Sequence, residues 1–61
     1  MITYTVYAYQ VDMNGRPYGI AKPKNVWTAE LMESYRGAHF VSKIYENFNG
    51  KSTLIWENRR G

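Results

Sequence analysis

Two Asn-Gly pairs constrain the fold of this chain more than any other feature. Asn14-Gly15 and Asn49-Gly50 each lie between segments rich in β-branched and aromatic residues. An Asn-Gly pair readily adopts the positive φ angles that a tight turn between antiparallel strands requires. The sequence therefore predicts two β-hairpins joined by a middle segment.

The first hairpin can form in either of two registers, and each turns a different face of its first strand inward. Side chains alternate along residues 2–11, so Val6 lies on one face and Tyr9 on the other. A two-residue loop pairs Tyr9 with Ile20 and buries the tyrosine face. A three-residue loop pairs Ala8 with Ile20 and buries the Val6 face. The sequence leaves both registers open.

Two prolines limit the second strand, which we expect to run to about Ala21. Pro17 lacks a backbone N–H, so the strand is expected to lie at an edge of the sheet. Pro23, with a lysine on either side, is expected in the connection that leaves the sheet.

The segment "WTAELMESYRG" has the start and stop signals of a short helix. Thr28 is a suitable N-cap, Glu30 suits the first turn, and Gly37 can adopt the left-handed conformation that ends a helix. Leu31 and Tyr35, four residues apart, are expected to point inward together.

The second hairpin is expected to use the three-residue loop Phe48-Asn49-Gly50. That register places Ile44 opposite Leu54, and it gathers four large apolar residues on one side of the hairpin: Phe40, Ile44, Leu54 and Trp56. A two-residue loop would separate Ile44 from Leu54 and Trp56.

These elements predict one small α+β domain spanning residues 1–61. Their order is β-β-α-β-β, a small antiparallel sheet with one helix packed on one face. An alternative is β-β-α-β with a long helix over residues 28–48, since apolar residues in that range also follow helical spacing.

Length and composition predict a domain that needs a partner. A chain of 61 residues buries only about 60% of its unfolded surface, and without cysteines or a structural metal the remaining aid to stability is self-association. We therefore expect a homodimer. The lack of cysteine favours the cytoplasm. The alternating N-terminal segment is unlike a signal peptide, and no apolar run is long enough for a membrane span.

Side chains suited to catalysis are scarce. The chain has one histidine, His39, one aspartate, Asp12, and no cysteine. Nucleophilic catalysis requires a nucleophile with an activating base, and a single imidazole is too little for a metal site. We therefore expect a non-enzymatic protein with no catalytic residue, no metal and no cofactor.

The surplus of aromatic side chains favours binding. Aromatic residues make up 16% of the chain, more than so small a core can hold, and tyrosine is enriched at interfaces. We expect another protein to bind a Tyr-rich sheet face or edge. The candidate residues are Tyr7, Tyr9, Tyr18 and Phe48, with Arg16, Lys43 and Arg59 at the rim and Arg60 beside them.

Two further expectations concern the partner. Small, cysteine-free α+β chains are common among accessory proteins of bacteriophages and mobile elements, many of which modulate or inhibit a host protein by covering its surface. The alternative partner is RNA or single-stranded nucleic acid, because bases stack on sheet aromatics while basic side chains follow phosphates. The net charge of +3 is compatible with either, but no nucleic-acid-binding motif is present.

Overall fold

The computed structural model describes residues 1–59 and confirms the α+β fold with the order β-β-α-β-β. The elements are β1 (Thr3–Val11), β2 (Pro17–Val26), α1 (Ala29–Tyr35), β3 (Val41–Phe48) and β4 (Lys51–Glu57). The strands form one antiparallel sheet in the order β2-β1-β3-β4, with β2 and β4 at the edges. The alternative with a helix over residues 28–48 is wrong, because most of that range beyond Tyr35 is strand β3.

The first hairpin has the three-residue loop and buries the Val6 face. The backbone N–H of Asp12 donates to the carbonyl of Arg16 at 3.0 Å, and Gly15 has a φ of 79°. Farther along, however, Ala8 pairs with Lys22 and not with Ile20. Residues 19–21 form a bulge opposite Tyr9, so the predicted pairing with Ile20 is wrong in both registers.

Strand β2 is an edge strand, as Pro17 predicts, but it is longer than expected. It continues past Pro23 to Val26, which pairs with Tyr4. The expectation that Pro23 lies in the connection was wrong. An edge strand has one side without a partner strand, and a proline is tolerated where its missing N–H would face solvent.

The second hairpin combines a two-residue loop with a bulge in β4. Phe48 pairs with Lys51, and Asn49 and Gly50 have φ angles of 52° and 76°, the pair of positive angles that a type I′ turn requires. The predicted three-residue loop is therefore wrong. The extra residue is Ile55, which shifts the register so that Ile44 faces Trp56.

This register changes the apolar group expected in the second hairpin. Ile44 is fully buried, while Trp56 and Phe40 are half-buried against the core. Leu54 instead pairs with Tyr45 and is 45% exposed. Three of the four residues therefore share a side, and Leu54 lies on the other because the bulge reverses the alternation between it and Trp56.

Helix α1 begins and ends as its capping residues predict. The Thr28 hydroxyl accepts a hydrogen bond from the Leu31 backbone N–H at 3.2 Å, and Gly37 has a φ of 87°. The residue that the helix buries is Met32. Leu31 is half exposed, so the expected inward pair is wrong for Leu31, while its partner Tyr35 does pack against the core.

The hydrophobic core lies between the helix and one face of the sheet. It consists of Tyr4, Val6, Val26, Met32, Val41 and Ile44. The helix contacts mainly β1 and β2, and the core residues of β1 are those of even number. Odd-numbered residues of β1, and the residues that pair with them, point away from the helix. We call this side of the sheet the open face.

Candidate functional site

The centre of the open face is a cluster of two tyrosines and a lysine, which we call the Tyr7-Lys43-Tyr45 cluster. Strand β1 supplies Tyr7, and its neighbour β3 supplies Lys43 and Tyr45. The two rings pack edge to face, with centroids 5.8 Å apart and planes at 75°. The Lys43 ammonium lies 5.2 Å from the Tyr7 centroid and 5.5 Å from that of Tyr45. The lysine thus holds both rings by cation–π attraction.

A chain of polar side chains continues the open face toward the second turn. The Asn47 side-chain amide donates to the hydroxyls of Thr5 at 2.9 Å and Thr3 at 3.4 Å. Its carbonyl oxygen accepts from the Ser52 hydroxyl at 2.7 Å. These bonds join three strands and fix the side chains before any partner arrives. Thr5 and Ser52, with both rings of the cluster, line a shallow depression of about 180 Å³.

The positive charges of the described chain are not gathered beside the tyrosines of the cluster. Lys43 is the cation within the cluster, and the residue that pairs with it on the neighbouring strand β4 is the acidic Glu57. Lys24 lies over the ring of Tyr35, a helix residue. Arg36 forms an ion pair with Glu33 at 3.2 Å. Residues 1–59 therefore present no continuous row of cations along the cluster.

A second, smaller depression contains Tyr9 and the single histidine. Its lining residues are Tyr9, Pro17, His39, Ser42 and Asn58, and its volume is about 170 Å³. The His39 Nε2–H donates to the backbone carbonyl of Gly15, so this nitrogen links the segment after the helix to the first turn. No carboxylate lines the depression, so it does not combine the histidine with an acid in the way a general acid–base pair requires.

The structure divides the predicted binding residues among separate places. Tyr7 and Lys43 lie together in the cluster, and Tyr9 follows Tyr7 on the same face of β1. The others lie elsewhere: Arg16 just before β2, Tyr18 near its start, Phe48 beside the second turn, and Arg59 after β4. Phe48 and Tyr18 are each about half exposed, at 48% and 52%. Arg60 lies outside the described residues.

Tyr45 and Asn47 are two residues of the open face that sequence reasoning missed. Both alternate with Ile44 along β3, and this signal already placed them on the side opposite the core. What was missing was the pairing of β1 with β3, which brings Tyr45 beside Tyr7. No local sequence pattern predicts the pairing of two strands that are so far apart in the sequence.

The described part of the chain holds neither a candidate metal site nor a helix that could cross a membrane. Among residues 1–59, no three His, Cys, Asp or Glu side chains lie close enough to share a metal ion. Within the same residues, no helix has both the length and the apolar character needed to cross a bilayer. No protein-family model, curated protein or solved structure matches the chain. The function must therefore be inferred from the residues of the site.

Proposed function

We propose that this protein is a non-enzymatic interaction module that binds another protein through its open face. The observation that carries the proposal is the Tyr7-Lys43-Tyr45 cluster at the centre of a sheet face that the helix does not cover. Tyrosine gives a large contact area with a hydroxyl for hydrogen bonding and loses little rotamer entropy on binding. Because these rings are already held by each other and by Lys43, the ordering cost of association is lower still.

The strand edges are less suited to binding than the open face. An unpaired edge strand binds a partner strand only where its backbone is regular and its N–H groups are available. Strand β2 contains Pro17, Pro23 and the bulge at residues 19–21, and strand β4 has the bulge at Ile55. The sequence left a sheet face and a sheet edge as alternative binding surfaces, and these irregularities favour the face.

The setting that we propose is that of an accessory protein of a bacteriophage or mobile element. In this setting the module covers a surface of a host protein in the cytoplasm and thereby inhibits it. Support comes from the small size of the chain and from its pre-ordered aromatic face. The small core of six buried side chains also supports the homodimer proposed from composition. Light scattering coupled to size-exclusion chromatography measures the oligomer directly.

Affinity capture tests the proposed face. The tagged protein is incubated with a lysate of the organism that carries its gene, and the retained proteins are identified by mass spectrometry. The double variant Tyr7→Thr/Tyr45→Thr should lose the captured partner while keeping the circular dichroism spectrum of the folded protein. Leu31→Gln is the matched control, since it removes an exposed apolar side chain from the helix, which packs on the opposite side of the sheet.

Two results would contradict the proposal. Equal capture by the wild type and the double variant would show that the open face does not bind the partner. Loss of capture after nuclease treatment, with binding that weakens steeply as salt rises, would favour the nucleic-acid alternative.

A further inference from the structure

The bulge of β2 creates an apolar groove on the side of the sheet opposite the Tyr7-Lys43-Tyr45 cluster. Tyr18 pairs with Gln10, which lies on the Val6 face of β1. The groove has a volume of about 340 Å³ and is lined by Gln10, Tyr18, Gly19, Ile20 and Lys22. This volume is enough for one large side chain of a partner. It lies beyond the short helix, which leaves Ile20 85% exposed.

The backbone of this segment explains why the groove exists. Gly19 has a φ of 80°, a backbone conformation that residues other than glycine adopt only at a cost in free energy. Between Ala8 and Gln10 the first strand has one residue where β2 has three. Because of these extra residues, Ile20 has no partner in the pairing of β2 with β1. An isoleucine held so far into solvent by a specific backbone shape contributes little to the core, and bulges of this kind often aim a side chain at a ligand.

The rim of the groove is positively charged. Strand β2 contains Lys22 and Lys24 and no acidic residue, and Arg16 directly precedes it. Neither Arg16 nor Lys22 forms an ion pair within residues 1–59. The nearby Asp12 carboxylate is occupied by the first turn, where it accepts hydrogen bonds from the backbone N–H groups of Asn14 and Arg16 at 2.9 and 2.8 Å.

We propose that this groove binds an acidic segment of another protein that inserts one large apolar side chain beside Ile20. The apolar floor suits an aliphatic or aromatic anchor, and Arg16 and Lys22 suit carboxylates on either side of it. A second copy that docked groove to groove would bring the same cations together, so it fits poorly. The site shares no residue with the open face, so a negative result for the groove would leave the proposed function of the open face unaffected.

A side-chain anchor also fits the backbone of β2 better than strand addition does. Pro17 and Pro23 flank the groove, and neither can donate a hydrogen bond to an added strand. Recognition at this place must therefore come from the anchor in the groove and from the charges at its rim. Nucleic acid fits less well, because the most exposed apolar residue of the groove is the aliphatic Ile20 and Tyr18 is the single ring in its lining that could stack on a base.

Nuclear magnetic resonance with a defined peptide tests the site. The probe is an eight-residue peptide with one central leucine flanked by aspartate and glutamate, titrated into the ¹⁵N-labelled full chain. We expect amide shifts concentrated at Gln10, Gly19, Ile20 and Lys22. Ile20→Ser should weaken binding about 10-fold or more, because it removes the apolar contact. Lys22→Glu should weaken it about fivefold and reduce its salt dependence.

The controls distinguish this site from the open face and from other ligands. Ile20 is so exposed that its replacement should leave the spectrum of the remaining residues unchanged, and Tyr7→Thr should leave peptide affinity unchanged. The same peptide with serine in place of leucine should not bind the groove. The proposal is overturned by shifts at Tyr7 and Lys43 instead, by an oligothymidylate that produces the groove shifts while the peptide does not, or by the absence of shifts at millimolar peptide.

Discussion

Replacing Tyr7 by threonine separates a binding role of the open face from a structural one. Threonine has the β-branched shape that strands favour but lacks the ring. Tyr7 is half-buried on the face without the helix, whereas Ile44 is fully buried on the face that carries the helix. We expect Tyr7→Thr to weaken partner binding and leave a folded protein, and Ile44→Ala to lose most of its stability.

The contacts of Tyr7 set the size of the effect. The edge-to-face pair with Tyr45 at 5.8 Å contributes about 1 kcal/mol. The Lys43 ammonium at 5.2 Å adds about 0.5 to 1 kcal/mol at a partly exposed site. These two contacts together contribute about 1.5 to 2 kcal/mol, and loss of the ring's partly buried apolar area adds to this. Removing the Ile44 side chain to alanine costs about 2 to 5 kcal/mol, a large part of the roughly 3 to 9 kcal/mol expected for a domain of this length.

Urea unfolding at 25 °C, followed by tryptophan fluorescence, measures these free energies. Trp56 packs partly against the core, so its emission should report unfolding. Thermal melts provide a second measure, since 1 kcal/mol corresponds to roughly 8 °C in a domain this small. If Tyr7→Thr destabilises the protein as much as Ile44→Ala, or leaves partner capture unchanged, the ring belongs to the core and the open face is not the binding site.

Three further predictions concern single contacts. Asn47→Ala should lower the unfolding free energy by about 1 to 2 kcal/mol in urea, because it leaves the hydroxyls of Thr5 and Ser52 without their partner; an unchanged midpoint would show that water replaces the amide. Gly50→Ala should lower the unfolding free energy by about 1 kcal/mol or more, since Gly50 has a φ of 76°. In the same urea titration, Gly50→Asn should lower it less, because asparagine tolerates that angle. Thr28→Ala should cost about 1 kcal/mol and reduce the helical circular dichroism signal by removing the N-cap, and full recovery in Thr28→Ser would identify the hydroxyl as the cause.

The parts of the fold that were predictable depend on neighbours in sequence. The two turns follow from Asn-Gly pairs, and the limits of the helix follow from Thr28 and Gly37. Each of these signals acts over a few residues, through a φ angle or a single hydrogen bond. Residues 41–48 have no such local signal. Their apolar spacing fits both a helix and a strand, so the sequence left their secondary structure ambiguous.

The candidate site was predictable only in part. The alternation along β1 placed Tyr7 and Tyr9 on the face opposite Val6, and the structure agrees. The sequence could not show that Tyr45 is the neighbour of Tyr7, or that Tyr18 lies on the other side of the sheet. Both depend on how strands pair across distances that no local pattern specifies.

The sequence by itself determined where the two turns lie and where the helix begins and ends, because turn and cap chemistry is local. Only the tertiary structure decided the registers, through bulges at residues 19–21, Ser42 and Ile55. A bulge is retained when the packing it allows outweighs the hydrogen bonds it disrupts, as when Ile55 lets Trp56 reach the side of Ile44. That balance involves residues from several strands at once. It also decided which tyrosines form the open face and which residues line the groove.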